Sequence, residues 1–192
     1  PNGNVTVKAA SKIGYTGIVG GLAKSGGHGI GASVSVLVVN NEILAQTGNG
    51  ETITAGKKIH VDADSKETIV AVVVNGAAAT GTNSGVAVAV SPSVNVIKGS
   101  TQAIAGTGTY KANTMDVTAD STTKIVILSG GAAVSTGKAG VGGSVQVDVF
   151  LKKVKALIAD GTEGTYAVIL APGGLTVSAN SKEDSYLFVI GL

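Results

Sequence analysis

The sequence predicts an all-β fold: a β-solenoid in the form of a right-handed parallel β-helix, built from repeats of about 55 residues. Three observations predict it: a motif that recurs along the chain, a composition of small and β-branched residues, and segments in which apolar and polar residues alternate. Hydrophobic residues make up 44% of the chain, mainly Val, Ala and Ile, and there are 29 glycines. Such residues suit pleated strands better than helices, and few segments show the helical period.

A motif with the pattern xVxAxS occurs four times, starting at Val5, Ile59, Met115 and Leu175, at intervals of 54, 56 and 60 residues. Two further blocks recur between its copies, one rich in glycine and one with alternating valines. The longest match joins "GIGASVSVLVVNNEILAQTG" to "GVGGSVQVDVFLKKVKALIADG". Internal repeats of this kind indicate stacked structural units. We therefore expect one repeat domain over residues 1–192, a fragment of a longer array, with units at about 5–58, 59–114 and 115–174 and a partial unit at 175–192.

Each unit predicts four short strands in the same order. The first is the xVxAxS strand, and the second is the apolar run that follows it, such as 68–74. The third alternates through Val34, Val36 and Val38, and the fourth is "EILAQTG" or its equivalent. Alternating and β-branched segments of this length are typical of strands.

The spacing of turn residues predicts how these strands coil. Glycine clusters and the pairs Asn75-Gly76 and Asp160-Gly161 predict turns. The expected arrangement has two coils of about 27 residues per unit, stacked about 4.8 Å apart, and one wide coil per unit is the alternative. The run "TIVAVVV" is apolar on both faces, so we expect a second layer to cover its outer side.

The composition excludes several classes of site. The chain has no Cys and no Trp, and all 14 positively charged residues are Lys. Without Cys there is no disulfide, thiolate nucleophile or zinc–thiolate cluster, and without Arg there is no bidentate phosphate clamp. A net charge of +2 with scattered lysines argues against a nucleic-acid partner. No apolar run has the length of a transmembrane helix.

The stretch "IHVDADSK" carries the donors of a small metal site, with Asp62, Asp64 and Ser65 next to His60. The other copies of the motif place lysine, threonine or serine at the position of Asp62. A position that tolerates lysine is expected to face solvent, on a strand whose valines and alanines are buried. We therefore predict a polar strand face here, with a weak cation site as the alternative.

Other candidates are isolated or depart from their motif. "GAAVSTGKAG" has five residues between its glycines where a phosphate-binding loop needs four, and Ala139 follows Lys138 in place of Ser or Thr. His28 lies in a glycine-rich turn and is expected to be solvated. The sequence predicts no catalytic, cofactor-binding or metal-binding residue. A lysine cluster is expected at a solvated edge, with binding to an anionic glycan or a membrane surface as the alternative: Lys152, Lys153 and Lys155. Four aspartates occur singly at positions that vary between the repeats: Asp116, Asp120, Asp148 and Asp160. Four tyrosines form no repeated stripe: Tyr15, Tyr110, Tyr166 and Tyr186.

The segments "GVGGSVQVDVFLKKVKALIADG" and "LTVSANSKED" resemble a known family, and the likeness covers nearly the whole chain. They are similar to the repeat region of fusobacterial leukotoxin-like proteins and related very large type V secreted autotransporter adhesins. The resemblance implies a passenger domain that is exported across the outer membrane and displayed as a long β-helical rod. It implies no catalytic residues. The middle copy departs from the family pattern at Pro92.

The expected function is that of a structural or adhesive passenger segment of a secreted or surface-displayed bacterial virulence-type protein, without enzymatic activity or cofactors. The expected partners are the neighbouring repeats and a host-cell surface protein or glycan. Two alternatives stay open: a carbohydrate-active β-helix enzyme, which would need paired carboxylates in one cleft, and a cytotoxin segment that contacts host membranes.

Overall fold

The structure is a computed structural model that describes residues 2–81, 85–159 and 166–192. Within these residues the regular secondary structure consists of strands alone. In chain order the strands are β1 (Val5–Ser25), β2 (Gly29–Ala32), β3 (Ser35–Gln46), β4 (Glu51–Thr54), β5 (Lys58–Ala79), β6 (Val86–Val90), β7 (Ser93–Ala105), β8 (Gly108–Lys111), β9 (Thr114–Ser135), β10 (Ala139–Gly143), β11 (Gln146–Ile158), β12 (Ala167–Leu170) and β13 (Leu175–Gly191).

The strands form four parallel sheets, and within each sheet the equivalent strands of successive coils lie side by side, which confirms the predicted all-β parallel solenoid. The long sheet has the order β1-β5-β9-β13, and the opposing sheet has the order β3-β7-β11. Two smaller sheets complete each coil: the linking sheet β2-β6-β10 and the closing sheet β4-β8-β12. Every strand pair in these sheets is parallel.

Each coil is wide. Val7 pairs with Val61, Val61 with Val117, and Val117 with Val177, so hydrogen-bonded neighbours lie 54, 56 and 60 positions apart. The four copies of the xVxAxS motif therefore lie side by side in the long sheet. The expectation of coils of about 27 residues is wrong, because one strand of the long sheet alone takes 21 or 22 residues before the chain turns back.

The strands of the long sheet are longer than predicted. The xVxAxS segment, the apolar run and the start of the glycine-rich block form one continuous strand, and Asn75-Gly76, predicted to be a turn, lies inside β5. The glycines serve close contact between layers: a Cβ on Gly29 would lie 2.6 Å from the carbonyl oxygen of Ala78. Asp160-Gly161, the other predicted turn, lies outside the described residues.

The core lies between the long sheet and the opposing sheet. Near the closing sheet it is built around Ile59, Val61, Tyr110, Met115 and Val117, all of which are fully buried. A second apolar cluster further along the same strands contains Ile69, Ile97, Ile125 and Ile127, and alanines fill the narrow end at the linking sheet. Burial of a large aliphatic side chain contributes about 1.5–3 kcal/mol, so these rows hold the two layers together.

Both outer faces carry apolar side chains. In the "TIVAVVV" run, Val70, Val72 and Val74 point away from the core, and Val74 is exposed. The expected second layer is wrong for the described part of the chain, where no strand packs on this outer side. In β3, Val36 and Val38 are also exposed, because the inward positions are taken by their neighbours. Among the described residues, no helix has the length and apolar character needed to cross a bilayer.

Candidate functional site: a buried lysine–carboxylate–amide cluster

A polar cluster lies inside the solenoid, between its two main apolar clusters. In β5, Glu67 follows Ser65 on the inward side of the strand and precedes the buried Ile69. In β11, Lys152 lies on the inward side between Phe150 and Val154. Side chains alternate between the two faces of a strand, so both charged residues are directed into the core by their sequence parity.

The carboxylate of Glu67 is the centre of this cluster. Its Oε1 accepts a hydrogen bond of 2.9 Å from Nδ2 of Asn41, and its Oε2 forms an ion pair with Nζ of Lys152. Thr123 Oγ1 donates to Oε2 at 3.4 Å, and Ser65 Oγ lies 3.5 Å from Oε1. Asn41 Nδ2 also donates to Ser65 Oγ at 3.2 Å. An amine, a carboxylate and a carboxamide from three successive coils therefore meet at one point.

The cluster is closed to solvent. The side chains of Lys152 and Glu67 are 7% and 1% exposed, and Asn41 is buried. A charge taken out of water without partners is strongly unfavourable, whereas a paired and fully hydrogen-bonded one is tolerated. The contacts to Asn41, Ser65 and Thr123 supply the hydrogen bonds that the buried carboxylate needs.

Gly99 makes the contact between Lys152 and Glu67 possible. Asn41, Gly99 and Lys152 form one row across β3, β7 and β11, with Gly99 in the middle coil. A Cβ on Gly99 would lie 2.8 Å from Nζ and 3.0 Å from Cδ of Lys152. The lysine side chain thus lies across the space that any other residue at position 99 would fill, and it reaches the middle coil, where Glu67 is located.

The "IHVDADSK" segment forms a different kind of cluster, on the outer face of the long sheet. Asp62 Oδ2 accepts a hydrogen bond of 2.7 Å from Nζ of Lys8, and Oδ1 accepts one of 2.8 Å from Oγ1 of Thr118. His60 Nε2 lies 3.1 Å from Oγ1 of Thr118 and 4.0 Å from Oδ1 of Asp62. The prediction of a solvated position is wrong for Asp62, because its neighbours in the adjacent coils bury it.

These contacts shift two pKa values in opposite directions. Burial raises the pKa of Asp62, but hydrogen bonds from Lys8 and Thr118 and the charges of Lys8 and His60 outweigh it, so the pKa lies below its ordinary value. The pKa of Lys8 lies above its ordinary value because its ammonium donates to Asp62. Asp64 points to Lys66 rather than to this cluster. Within the described ranges no group of three metal-ligating His, Asp or Glu side chains comes together.

The structure separates the three clustered lysines. The side chain of Lys152 points inward and is only 7% exposed, so the prediction of a solvated edge is wrong for it, whereas Lys153 and Lys155 lie on β11 outside the ion pair. The charge of Lys153 lowers the pKa of Lys155. His28 is exposed in the bend between β1 and β2, as predicted. In the "GAAVSTGKAG" stretch, Gly131 and the residues up to 135 belong to β9 rather than to a loop.

The single aspartates and tyrosines do not converge on one place. Asp116 pairs with Lys58, Asp120 accepts from Asn180, and Asp148 accepts from Asn95 and Gln146. Tyr110 is fully buried, and its hydroxyl contacts Thr47 Oγ1 at 2.7 Å and the carbonyl oxygen of Gly106 at 2.8 Å. Burial raises its pKa. Tyr15, Tyr166 and Tyr186 are exposed, and Asp160 lies outside the described residues.

Sequence reasoning did not find the cluster of Asn41, Glu67 and Lys152. The available signal was the alternation of side chains along the strand: Glu67 lies on the same face as the buried Val61 and Ala63, so its carboxylate is expected to point into the core. No protein-family model, curated protein sequence or solved structure matches this chain.

Proposed function

We propose that this chain is a rigid structural and adhesive segment of a secreted or surface-displayed bacterial protein. The observation that carries the proposal is the unbroken stacking of wide coils, in which the long sheet and the opposing sheet keep one register from coil to coil. Such stacking gives a rod whose stability comes from contacts between neighbouring coils. The bacterial surface location rests on the resemblance to type V secreted adhesins, and we assign no catalytic activity.

The adhesive part of the proposal rests on one outer surface, the valine face. It consists of outward side chains of the opposing and linking sheets and of the short links between them, and the sheet residues form rows that cross three coils. Val36, Val94 and Val147 form one row, and all three are exposed. Contiguous exposed apolar surface is typical of sites that contact another macromolecule or a membrane. The members of the face are Ile30, Val34, Val36, Val38, Val88, Val90, Val94, Val96, Val141, Val145, Val147 and Val149.

The test is saturable binding of the labelled, monomeric chain to epithelial and white blood cells, measured by flow cytometry with unlabelled chain as competitor. The variant pair Val36→Thr and Val147→Thr keeps the β-branched shape and the strand propensity while making the face polar. Its matched control is Ile18→Thr, at an exposed apolar position on the outer side of the long sheet.

Competable binding that the valine-face variant loses and the Ile18→Thr control keeps is the expected result. Loss of binding after protease or glycosidase treatment of the cells then identifies the receptor as protein or glycan. Binding to protein-free phosphatidylcholine vesicles at the same concentration would favour the membrane-contacting alternative. Absence of competable binding in the wild-type chain would overturn the adhesive role and leave a spacer.

A further inference from the structure

We propose that Lys152 and Asn41 form an intramolecular isopeptide bond, with Glu67 as the proton-transfer group. The inference concerns the interior of the solenoid and does not rest on the proposed surface function. It starts from the buried cluster, where a primary amine and a carboxamide are both hydrogen-bonded to the two oxygens of one carboxylate. These are the groups needed for transamidation: a nucleophile, an electrophilic carbonyl and a group that moves protons between them.

The register brings the two reacting groups within reach of each other. Asn41 and Lys152 occupy the same row two coils apart, a Cα separation of about 9.6 Å at the usual strand spacing. A lysine–asparagine link contains eight bonds between its Cα atoms and spans about 10 Å when extended. Gly99 leaves the path across the middle coil open, since any Cβ there would lie 2.8 Å from Nζ.

The reaction balances without any added reagent. The Lys152 ammonium gives a proton to Oε2 of Glu67, and the lone pair of the neutral Nζ attacks Cγ of Asn41. The Nζ–Cγ bond forms and the Cγ–Nδ2 bond breaks, with a second proton passing from Nζ to Nδ2, so that Nδ2 leaves as ammonia. Glu67 keeps the first proton. Carbon is neither oxidised nor reduced, and the only product released is ammonia.

The surroundings favour this outcome over a persistent ion pair. Water, which would compete as a nucleophile and hydrate the charges, has little access because Asn41 and Glu67 are buried and the Lys152 side chain is 7% exposed. The reaction removes both buried charges and replaces them with a neutral amide and a neutral acid, which lowers the cost of burying the cluster. Proximity fixed by the fold raises the effective concentration of the amine at the carbonyl.

The bond would tie the first described coil to the third. Asn41 belongs to β3, Lys152 to β11, and the bond would pass over β7 between them. The two residues would then stay joined even when the coils between them unfold. A covalent tie of this kind suits a rod that bears tension.

The experiment is the intact mass of the purified, denatured full chain, followed by tandem mass spectrometry of a protease digest. The expected mass is lower than the sequence mass by about 17 Da, one ammonia, with one branched peptide that joins the Asn41 and Lys152 segments. A cyclised asparagine would give the same loss without the branched peptide. The full sequence mass in the folded wild-type chain, or a loss without the branched peptide, would overturn the proposal.

Variants separate the roles of the three groups. Lys152→Arg and Glu67→Gln are expected to restore the full mass, because one removes the nucleophile and the other the proton acceptor. The matched controls are Asn40→Ala and Lys153→Ala, which remove an amide and an amine from the adjacent, outward-facing positions and are expected to keep the loss. If a cluster variant fails to fold, the wild-type mass and its branched peptide still decide the question. A Glu67→Gln chain that folds and forms the bond as fully as wild type would overturn the role of Glu67.

Discussion

Two lysine–carboxylate pairs join neighbouring coils of this solenoid, one on each side of the long sheet. On the outer face, Lys8 donates to Asp62, and the lysine side chain is 53% exposed. Inside, Lys152 contacts Glu67 where both side chains are closed to water. The chemical groups are the same, but solvent screens the outer pair and cannot reach the inner one. Burial therefore decides which pair is a weak surface contact and which is a demanding structural feature with the capacity to react.

The largest expected effect comes from removing each carboxylate charge in turn. Glu67→Gln removes the carboxylate on which both the ion pair and the proposed bond depend, and it leaves the Lys152 ammonium in the core without a partner, so we expect the free energy of unfolding to fall by about 3–5 kcal/mol. Asp62→Asn acts on the partly solvated pair and is expected to change it by less than about 1 kcal/mol. Urea unfolding followed by circular dichroism measures both. Equal losses in the two variants would show that burial does not separate the pairs.

The next effect concerns the space that the inner pair requires. Gly99→Ala places a Cβ 2.8 Å from Nζ of Lys152, so the lysine must move, and we expect a loss of about 1–3 kcal/mol. Gly14→Ala is the matched control, since a Cβ there has nothing within 4 Å. That substitution is expected to be neutral or stabilising by about 0.4–1 kcal/mol, because it restricts the unfolded chain. Urea midpoints of the two variants decide; a tolerated Gly99→Ala would mean that Lys152 does not need this path.

The repeat in the sequence was sufficient to predict the parallel stack, because residues that match between copies are also neighbours in the sheet. Val7, Val61, Val117 and Val177 share one row, which is what a stack of similar units requires. The width of the coil was not predictable from turn residues. Asn75 and Gly76 have the composition of a turn, but they serve close packing between layers, with Asn75 Nδ2 donating to the carbonyl oxygen of Val90 at 2.5 Å.

The buried cluster was hidden because variation between copies resembles solvent exposure. The row of Glu67 contains Ile13, Thr123 and Glu183, and the row of Lys152 contains Asn41 and Gly99. Differences of this kind are usual at solvated positions. Here the differences are complementary: Lys152 needs the space left by Gly99 in the neighbouring coil and the carboxylate of Glu67 on the other side of the core. Glu67 and Lys152 are 85 positions apart, so only the fold brings them together.

The valines of the opposing sheet show a second limit of pattern reasoning. Val36 and Val38 alternate with Leu37 and Val39, so the third predicted strand is apolar on both faces and hydrophobicity alone does not say which side is inward. The structure places Leu37 inward and leaves Val36 and Val38 exposed. The adjoining residues make the choice: Ile43 and Ala45 are buried at the inward positions, and the polar side chains of the strand's second half mostly take the outward ones: Asn40, Glu42 and Gln46.

The smallest effect is the pH dependence of the outer pair. The pKa of Asp62 in the folded chain lies below its ordinary value of 3.8, so the unfolded chain binds a proton more readily than the folded chain. The stability from this group is therefore complete above about pH 5 and is lost as the pH falls through the folded pKa.

We expect Asp62→Asn and wild type to differ by a constant amount, below about 1 kcal/mol, from neutral pH to about pH 5, and to converge in acid. Lys8→Met should flatten the profile in the same way, because it removes the partner that lowers the pKa, and the double variant should add little. Urea midpoints measured from pH 7 to pH 2.5 test this. A wild-type chain whose difference from Asp62→Asn persists unchanged at the lowest pH would show that the Asp62 charge contributes nothing, and that only the shape of its side chain does.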